Sequence, residues 1–186
     1  LAWIEAGAPG AAPHDVRERL QELHLVEADG TLVDVHAPHR ERAAHHAARA
    51  RRAGTAFRAE HRAADDDRVA AALERAVALW NERLFFEVHE VLEVEWARAA
   101  GDERHALQGA IQIAVALHHH AHGNVRGART LMRDGRERLA AVGRALPAID
   151  VAALLSDTAP WDAALAAGAP PSGEPPRLRR RVGPLA

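Results

Sequence analysis

Residues 85–96 read FFEVHEVLEVEW, an apolar stretch that also carries a histidine and several carboxylates. At about 100° per residue, its large apolar side chains fall in one broad arc, which is typical of a helix packed on a core. On the other side, His89, Glu90 and Glu93 are spaced so that their polar groups can converge on one spot. The stretch therefore predicts an amphipathic helix with a polar cluster on one face. Glu95 is an exception, because it falls inside the apolar arc.

A second motif, LQGAIQ, follows at residues 107–112 and leads into a histidine triplet at 118–120. Gln108, Gln112 and His119 share one narrow stripe of a helix that is otherwise apolar nearly all round, which indicates a buried helix. A buried polar group without a partner costs about 1–3 kcal/mol, so these side chains need partners. The preceding helix is antiparallel if the loop is short, and it offers its histidine and glutamates. We therefore predict one buried cluster of six residues: His89, Glu90, Glu93, Gln108, Gln112 and His119.

Around these motifs the sequence predicts an all-α fold, a small antiparallel helical bundle with an N-terminal helical or helix-hairpin extension. Apolar spacing indicates four helices across residues 66–146, joined by short loops. Asn81 marks one break, and Gly123 followed by Asn124 ends one helix and caps the next. We divide the chain into three parts: an N-terminal extension (1–64), a helical bundle domain (65–168) and a disordered Pro-rich and basic tail (169–186).

The N-terminal extension combines a short helix near residues 13–23, two β-prone runs around Asp29-Gly30, and an Arg-rich helix at 38–63. Asp-Gly between such runs is a strong hairpin signal. A helix followed by a hairpin is the back half of a winged helix-turn-helix, which would bind DNA. The alternative is a helical arm with a small β-turn that covers the bundle, and both interpretations stay open.

Composition excludes several classes of protein. The chain of 186 residues has no cysteine, which excludes disulfide frameworks, zinc–thiolate sites and thiol nucleophiles. No apolar run reaches the roughly 18 residues of a membrane helix and no signal peptide is recognisable, so we expect a cytoplasmic protein without a membrane segment. All 24 basic residues are arginine and the net charge is −2, which argues against nucleic acid as a partner except through the N-terminal extension.

Three functions fit the predicted cluster. A fully paired polar network would make the protein a structural or interaction module, with a homo-oligomer formed through helix faces as one outcome. A single divalent metal ion bound by His89, Glu93 and His119 would allow a metal-dependent hydrolase. A ligand pocket would use Phe86 and Trp96 as apolar walls. Whether the protein is an enzyme stays open, since no Ser-His-Asp spacing, P-loop or dinucleotide fingerprint appears.

The two motifs form one ordered pattern: Phe86-Glu87-x-His89-Glu90-x-x-Glu93-x-x-Trp96, then Leu107-Gln108-Gly109-x-Ile111-Gln112, followed by His119, Gly123-Asn124 and Gly127-Ala128. This pattern resembles a bacterial and archaeal family known as domain of unknown function 309, over about residues 70–135. Members of that family commonly have glycine at the position of Arg83. The resemblance implies a small all-α bundle and brings no assigned activity.

Overall fold

The computed structural model describes residues 40–60 and 67–181, and its regular elements in these ranges are helical. The helices are α1 Arg40–Glu60, α2 Arg68–Asn81, α3 Phe85–Trp96, α4 Gly101–Ala121, α5 Val125–Val142 and α6 Val151–Ala166, with a short 3-10 turn at Gly143–Ala145. The predicted all-α class is confirmed. In these ranges no helix is both long enough and apolar enough to cross a membrane.

The chain separates into two compact units between residues 59 and 60, close to the boundary predicted after residue 64. Helix α1 lies almost wholly in the first unit and corresponds to the predicted Arg-rich helix at 38–63. The predicted short helix and hairpin near residues 13–37 fall outside the described residues, so the winged-helix hypothesis stays a prediction. The second unit contains α2 to α6 and the candidate site.

Side-chain caps fix the starts of three helices in the second unit. Asp67 before α2, Asn124 before α5 and Asp150 before α6 each accept hydrogen bonds from backbone N–H groups two or three residues further on. Such caps stabilise a helix by about 1 kcal/mol each, because they satisfy donors that have no partner inside the helix. The predicted cap at Asn124 is confirmed.

The turn between α2 and α3 depends on a left-handed backbone at Arg83, whose φ is +60°. This conformation lets the N–H of Arg83 donate to Trp80 O and the N–H of Leu84 donate to Leu79 O, at 2.8 and 2.9 Å. A left-handed conformation costs an L-residue with a side chain roughly 1–2 kcal/mol, whereas glycine adopts it readily. Glycine at position 83, which the resemblance described above leads us to expect in related proteins, would adopt this turn without that cost.

Helix α4 lies between α3 and α5 and packs against both. Phe86 at the start of α3 contacts the ring of His118 near the end of α4, with ring centroids 5.6 Å apart. At the other end of α3, the guanidinium of Arg104 lies 3.9 Å from the centre of the Trp96 ring. These two contacts pair the start of one helix with the end of the other. Helices α3 and α4 are therefore adjacent and antiparallel, as predicted.

Helices α4 and α5 approach each other closely at a pair of glycines. A Cβ atom on Gly109 would lie 3.0 Å from the backbone oxygen of Gly135, and a Cβ on Gly135 would lie 2.8 Å from the backbone oxygen of Gly109. Both distances are at or below the limit of real Cβ contacts, so the two backbones have no room for a side chain between them. Packing thus accounts for the glycine in the LQGAIQ motif.

The C-terminal segment packs on the bundle, although the sequence predicts a disordered tail over residues 169–186. The indole N–H of Trp80 donates to Pro176 O at 2.7 Å. The side chain of Asn81 bonds both backbone groups of Leu178, donating to its oxygen at 3.0 Å and accepting from its N–H at 3.2 Å. Leu178 itself is only 1% exposed. Proline and glycine do prevent a helix here, but two side chains of α2 hold the extended chain.

Candidate functional site

His89 lies between two carboxylates on the outer side of α3. Its Nδ1 atom is 3.1 Å from Glu90 Oε1, and its Nε2 atom is 3.5 Å from Glu93 Oε2. Each of the three residues offers one potential ligand atom, and these atoms lie within 4.8 Å of one another. The structure thus brings together the three residues that α3 contributes to the predicted cluster. We call them the α3 cluster.

The α3 cluster lies at the surface, whereas the sequence predicts that it is buried. The side chains of Glu90 and Glu93 are 50% and 53% exposed, and that of His89 is 26% exposed. The helix packs on α2 and α4 through its apolar arc, which leaves the polar arc facing outward. The carboxylates therefore stay hydrated, and a cation can reach them without the large desolvation cost of a buried charge.

The position of the His89 ring between two carboxylates favours a bound cation near the ring. A neutral ring has one N–H and one lone pair, so one of its nitrogen atoms presents a lone pair to a carboxylate. The Nδ1 atom of His89 is buried and makes no hydrogen bond of good geometry with the described protein groups, although Glu90 Oε1 is 3.1 Å away. A bound cation would remove the repulsion between the lone pair and the carboxylate. The geometry therefore suits the binding of a positive ion.

His119, predicted as a metal ligand together with His89 and Glu93, has a different neighbour. Its Nδ1 atom lies 3.1 Å from Asn124 Nδ2, which can only donate, so Nδ1 accepts this hydrogen bond. Asn124 accepts in turn from the N–H of Gly127 through its own oxygen at 2.9 Å. His119 thus supports the residue that caps α5, and Glu90 takes its place in the group of potential ligands. His119 therefore contacts the turn after α4 and is not part of the group of potential ligands around His89.

The glutamines of α4 do not close the network that the sequence predicts. Gln108 and Gln112 are half-buried, and the Cβ of Gln112 lies only 3.0 Å from where a Cβ on Gly135 would be, which places it against α5. Its Oε1 atom is buried and accepts no hydrogen bond from the described protein groups. Arg138 Nε of α5 is also buried without such a partner. The stripe on α4 is therefore not a fully satisfied internal network.

Phe86 and Trp96, predicted as the walls of one pocket, lie at opposite ends of α3. Ten residues of helix separate them, which corresponds to about 15 Å. The ring of Phe86 is half-exposed and contacts His89, with ring centroids 5.8 Å apart. Trp96 instead supports Arg104, which stacks on its ring and donates to its backbone oxygen at 2.9 Å. The helical spacing shows that the two aromatic rings do not enclose a common pocket.

Residues 73–131, from α2 into α5, match the model of a family described as "Domain of unknown function (DUF309)". Over these residues the chain is similar to that family, and we call residues 73–131 the DUF309 segment. The uncharacterized protein YpuF of Bacillus subtilis (strain 168) is 42% identical to the chain over 65 residues, which make up 34% of this chain and 37% of that protein. The match thus spans little more than a third of this relative's length. No solved structure matches the chain.

Several motif residues of the DUF309 segment have a structural role in the contacts described above. Gly109 permits the close approach of α4 and α5, Asn124 caps α5, and Trp96 supports Arg104. His89 and its two carboxylates cap no helix and stay outside the fully buried core. Structural contacts explain the α3 cluster less well than the other motif residues. The α3 cluster is therefore the part of the motif that is best suited to binding.

Glu95, which the sequence left unexplained, is a structural residue of the DUF309 segment. It is 8% exposed, and its two carboxylate oxygens lie 3.2 Å from Arg98 Nη1 and 3.7 Å from Arg68 Nε. A buried carboxylate needs such partners, because an unpaired buried charge is strongly destabilising. The partner from α2 is far away in sequence, so no local pattern could have predicted the pairing.

A histidine pair at the end of α4 is the feature of the DUF309 segment that sequence reasoning missed. The rings of His118 and His122 have centroids 4.2 Å apart, and the Nδ1–H of His122 donates to the backbone oxygen of His118 at 2.8 Å. Burial, His122 and His119 lower the pKa of His118 below its usual 6.5, while the charge of Glu87 acts in the opposite direction. The signal was the spacing of four residues, which places two side chains on one helix face.

Proposed function

We propose that the DUF309 segment binds one divalent cation at the α3 cluster, with His89 Nε2 and Glu93 as ligands. The observation that carries this proposal is the distance of 3.5 Å between Nε2 and Glu93 Oε2. Metal–imidazole and metal–carboxylate bonds are each about 2.0–2.2 Å long, so one ion with a tetrahedral angle joins two atoms at about this separation. Residues four apart on a helix hold such a pair on one face.

Glu90 adds a third group to the proposed site. Its carboxylate lies 3.1 Å from the Nδ1 atom of His89, the ring nitrogen that would not face the ion. A metal-bound histidine commonly donates its other N–H to a carboxylate, which fixes the ring and makes the ligating nitrogen more basic. We therefore assign Glu90 the role of orienting the ring, so its loss should weaken binding less than the loss of Glu93.

The mixed ligand set indicates which ions fit. Imidazole suits zinc, copper, iron and nickel ions, whereas carboxylates also suit manganese and magnesium. A site with one imidazole and exposed carboxylates favours a borderline ion such as Zn²⁺ and leaves coordination positions for water or a further ligand. Binding is the extent of the proposal, and metal-dependent hydrolysis stays a prediction of the sequence.

The unsatisfied polar atoms favour binding over a purely structural network. A network whose role is to fix helix register should satisfy its own donors and acceptors. Here two buried atoms of predicted cluster residues, Nδ1 of His89 and Oε1 of Gln112, lack hydrogen-bond partners among the described protein groups. The two carboxylates of the α3 cluster are also about half exposed. The predicted network is therefore not closed by its own residues, and the exposed carboxylates leave the α3 cluster accessible to a cation.

We expect substitutions in the α3 cluster to remove one Zn²⁺-binding event from the full chain. Calorimetric titration with Zn²⁺, after removal of bound metal with a chelator, measures affinity and stoichiometry. Glu93→Gln and His89→Ala should each weaken this event by more than the roughly 10- to 100-fold that loss of a ligand's hydrogen-bonding partner commonly costs, because each removes a ligand itself. Glu90→Gln should have a smaller effect, because we assign it to the ring and not to the ion.

Glu137→Gln is the matched control, because it removes an exposed glutamate from α5 outside the α3 cluster. It should leave the titration unchanged. Circular dichroism of each variant checks that helix content is retained. Titration curves for Glu93→Gln and His89→Ala that coincide with the wild-type curve would show that the α3 cluster does not bind the ion.

A second candidate function, contact with another copy of the chain, is favoured by exposed apolar side chains on the same helix. Phe86 is 50% exposed and Val94 is 51% exposed, and they lie eight residues apart on α3. Their positions differ by about 80° around the helix, so both can contact one surface. The homo-oligomer predicted through helix faces would use this side of α3.

We expect Phe86→Ser to shift a self-association equilibrium toward the monomer, because it removes the larger exposed apolar side chain. Light scattering coupled to size exclusion, at several protein concentrations, measures the mass of wild type and variant. Val125→Ser is the control, because Val125 is also exposed, at 38%, but lies on α5. A wild-type chain that is monomeric at every concentration would exclude this candidate.

Two further hypotheses, DNA binding and a cytoplasmic location, do not rest on the contacts described above. DNA binding depends on a winged helix within residues 1–64, most of which lie outside the described ranges. A cytoplasmic location was inferred from the sequence. Both stay predictions, and neither is needed for cation binding at the α3 cluster.

A further inference from the structure

We propose that His118 and His122 at the end of α4 form a second metal site, separate from the α3 cluster, for borderline transition-metal ions. The two residues are one helical turn apart, and their ring centroids are 4.2 Å apart with planes tilted by 36°. At this separation, side-chain rotation can bring one nitrogen of each ring within the roughly 2.0–2.1 Å of a metal–imidazole bond to a single ion. Two histidines four apart on one helix face are a recurrent metal-binding arrangement.

The hydrogen bond that His122 makes through Nδ1 leaves its Nε2 atom available to bind a metal ion. Its Nδ1 atom lies 2.8 Å from the backbone oxygen of His118, and because a carbonyl oxygen only accepts, Nδ1 carries the proton. The lone pair of the neutral ring is then on Nε2. A histidine that binds metal commonly has this arrangement, with its other N–H donated to a backbone carbonyl or a carboxylate. The end of α4 thus holds one ligand in the tautomer that a metal requires.

The surroundings of the pair suit a cation. Burial, His122 and His119 lower the pKa of His118, which favours the neutral ring that a metal ion needs, while the charge of Glu87 on α3 acts in the opposite direction. Phe86 covers one side of His118, with ring centroids 5.6 Å apart, while His122 is exposed to solvent. The ion would therefore be held between His118, which is partly covered, and His122, which is open to solvent. The carboxylate of Glu87 would supply negative charge near the ion.

The other two histidines of the triplet have different neighbours. His119 accepts a hydrogen bond from Asn124, and His120 packs on the ring of Trp161, with centroids 5.0 Å apart. The proposed pair therefore consists of His118, the first histidine of the triplet, and His122, which lies two residues after the triplet ends. Because its ligands are imidazoles, it should prefer Cu²⁺, Ni²⁺ and Zn²⁺ over Mg²⁺ and Ca²⁺, which prefer oxygen.

Imidazole NMR signals of the full chain during a Zn²⁺ titration test the proposal site by site. We expect the ring signals of His118 and His122 to shift together and to saturate with one ion. His122→Gln keeps a side-chain donor for the oxygen of His118 but removes the imidazole, and it should weaken Zn²⁺ binding at His118 by roughly tenfold or more. His105→Gln, an exposed position on the same helix, is the control and should leave both signals as in wild type.

His89→Ala separates this site from the α3 cluster, because the pair should still bind Zn²⁺ in that variant. Loss of the His118 and His122 shifts in His89→Ala would contradict a separate site. Unchanged ring signals in the wild-type chain at saturating Zn²⁺ would overturn the proposal, and this measurement needs no variant. If His122→Gln fails to fold by circular dichroism, His118→Gln tests the same loss from the other ligand.

Discussion

We expect Gly135→Val to lower the free energy of unfolding by about 3 kcal/mol, at the upper end of the cost of overpacking a core. A Cβ at this position would lie 2.8 Å from the backbone oxygen of Gly109, 2.8 Å from Ile113 Cγ1 and 3.0 Å from Gln112 Cβ. Valine adds two more methyl groups to the same space. Several atoms of α4 would therefore have to move at once.

The backbone contact makes this cost hard to avoid. A flexible side chain can rotate away from a new methyl group. Here one of the two nearest atoms is a backbone carbonyl oxygen of α4, which cannot rotate away. Moving it means moving the helix that packs against both α3 and α5. The better helix propensity of valine over glycine returns only a few tenths of a kcal/mol, so it does not offset the clash.

Urea denaturation, followed by circular dichroism, measures the change in free energy. Ala140→Val is the matched control, because Ala140 is exposed on the same helix. It also introduces a valine, but without a packing conflict. It should lower the free energy of unfolding by about 0.5 kcal/mol through helix propensity alone. If the two variants differ by less than about 1 kcal/mol, α4 and α5 can separate easily, and the glycine pair does not set their distance.

The sequence predicts the elements of the fold well because the signals for them are local. Apolar periodicity and the spacing of His89 and Glu93 fix the faces of α3 within a few helical turns. The cap at Asn124 depends on an N–H only three residues further on. The tail is different, since Leu178 is held by Asn81, nearly a hundred residues earlier. No local pattern contains that pairing.

The candidate site shows the same division between local and distant causes. A helical wheel places His89, Glu90 and Glu93 on one side of α3, and the structure brings them together. The wheel does not say whether a neighbouring helix covers that side, so the sequence predicts a buried cluster, whereas its two carboxylates are half-exposed. His119 was assigned by the wheel to the stripe on α4, but the turn after α4 brings Asn124 to its ring.

We expect Leu178→Ala to lower the free energy of unfolding by about 2–4 kcal/mol, the usual cost of truncating a buried leucine. The prediction follows from burial, because Leu178 is 1% exposed. Its backbone is also fixed on both sides by the side chain of Asn81, so the segment cannot easily shift to fill the space. A disordered tail, in contrast, would make the same substitution nearly neutral.

Arg177→Ala is the control for this prediction, since Arg177 is the adjacent residue and is exposed. It should change stability by less than about 0.5 kcal/mol, as is usual for surface substitutions. Chemical denaturation of both variants gives the comparison, and the NMR signal of the Trp80 indole N–H, which donates to Pro176 O, reports on the segment. Equal stability of the two variants would mean that the C-terminal segment contributes little to the core. A clear loss in Leu178→Ala alone would make this extended segment part of the folding unit formed with α2.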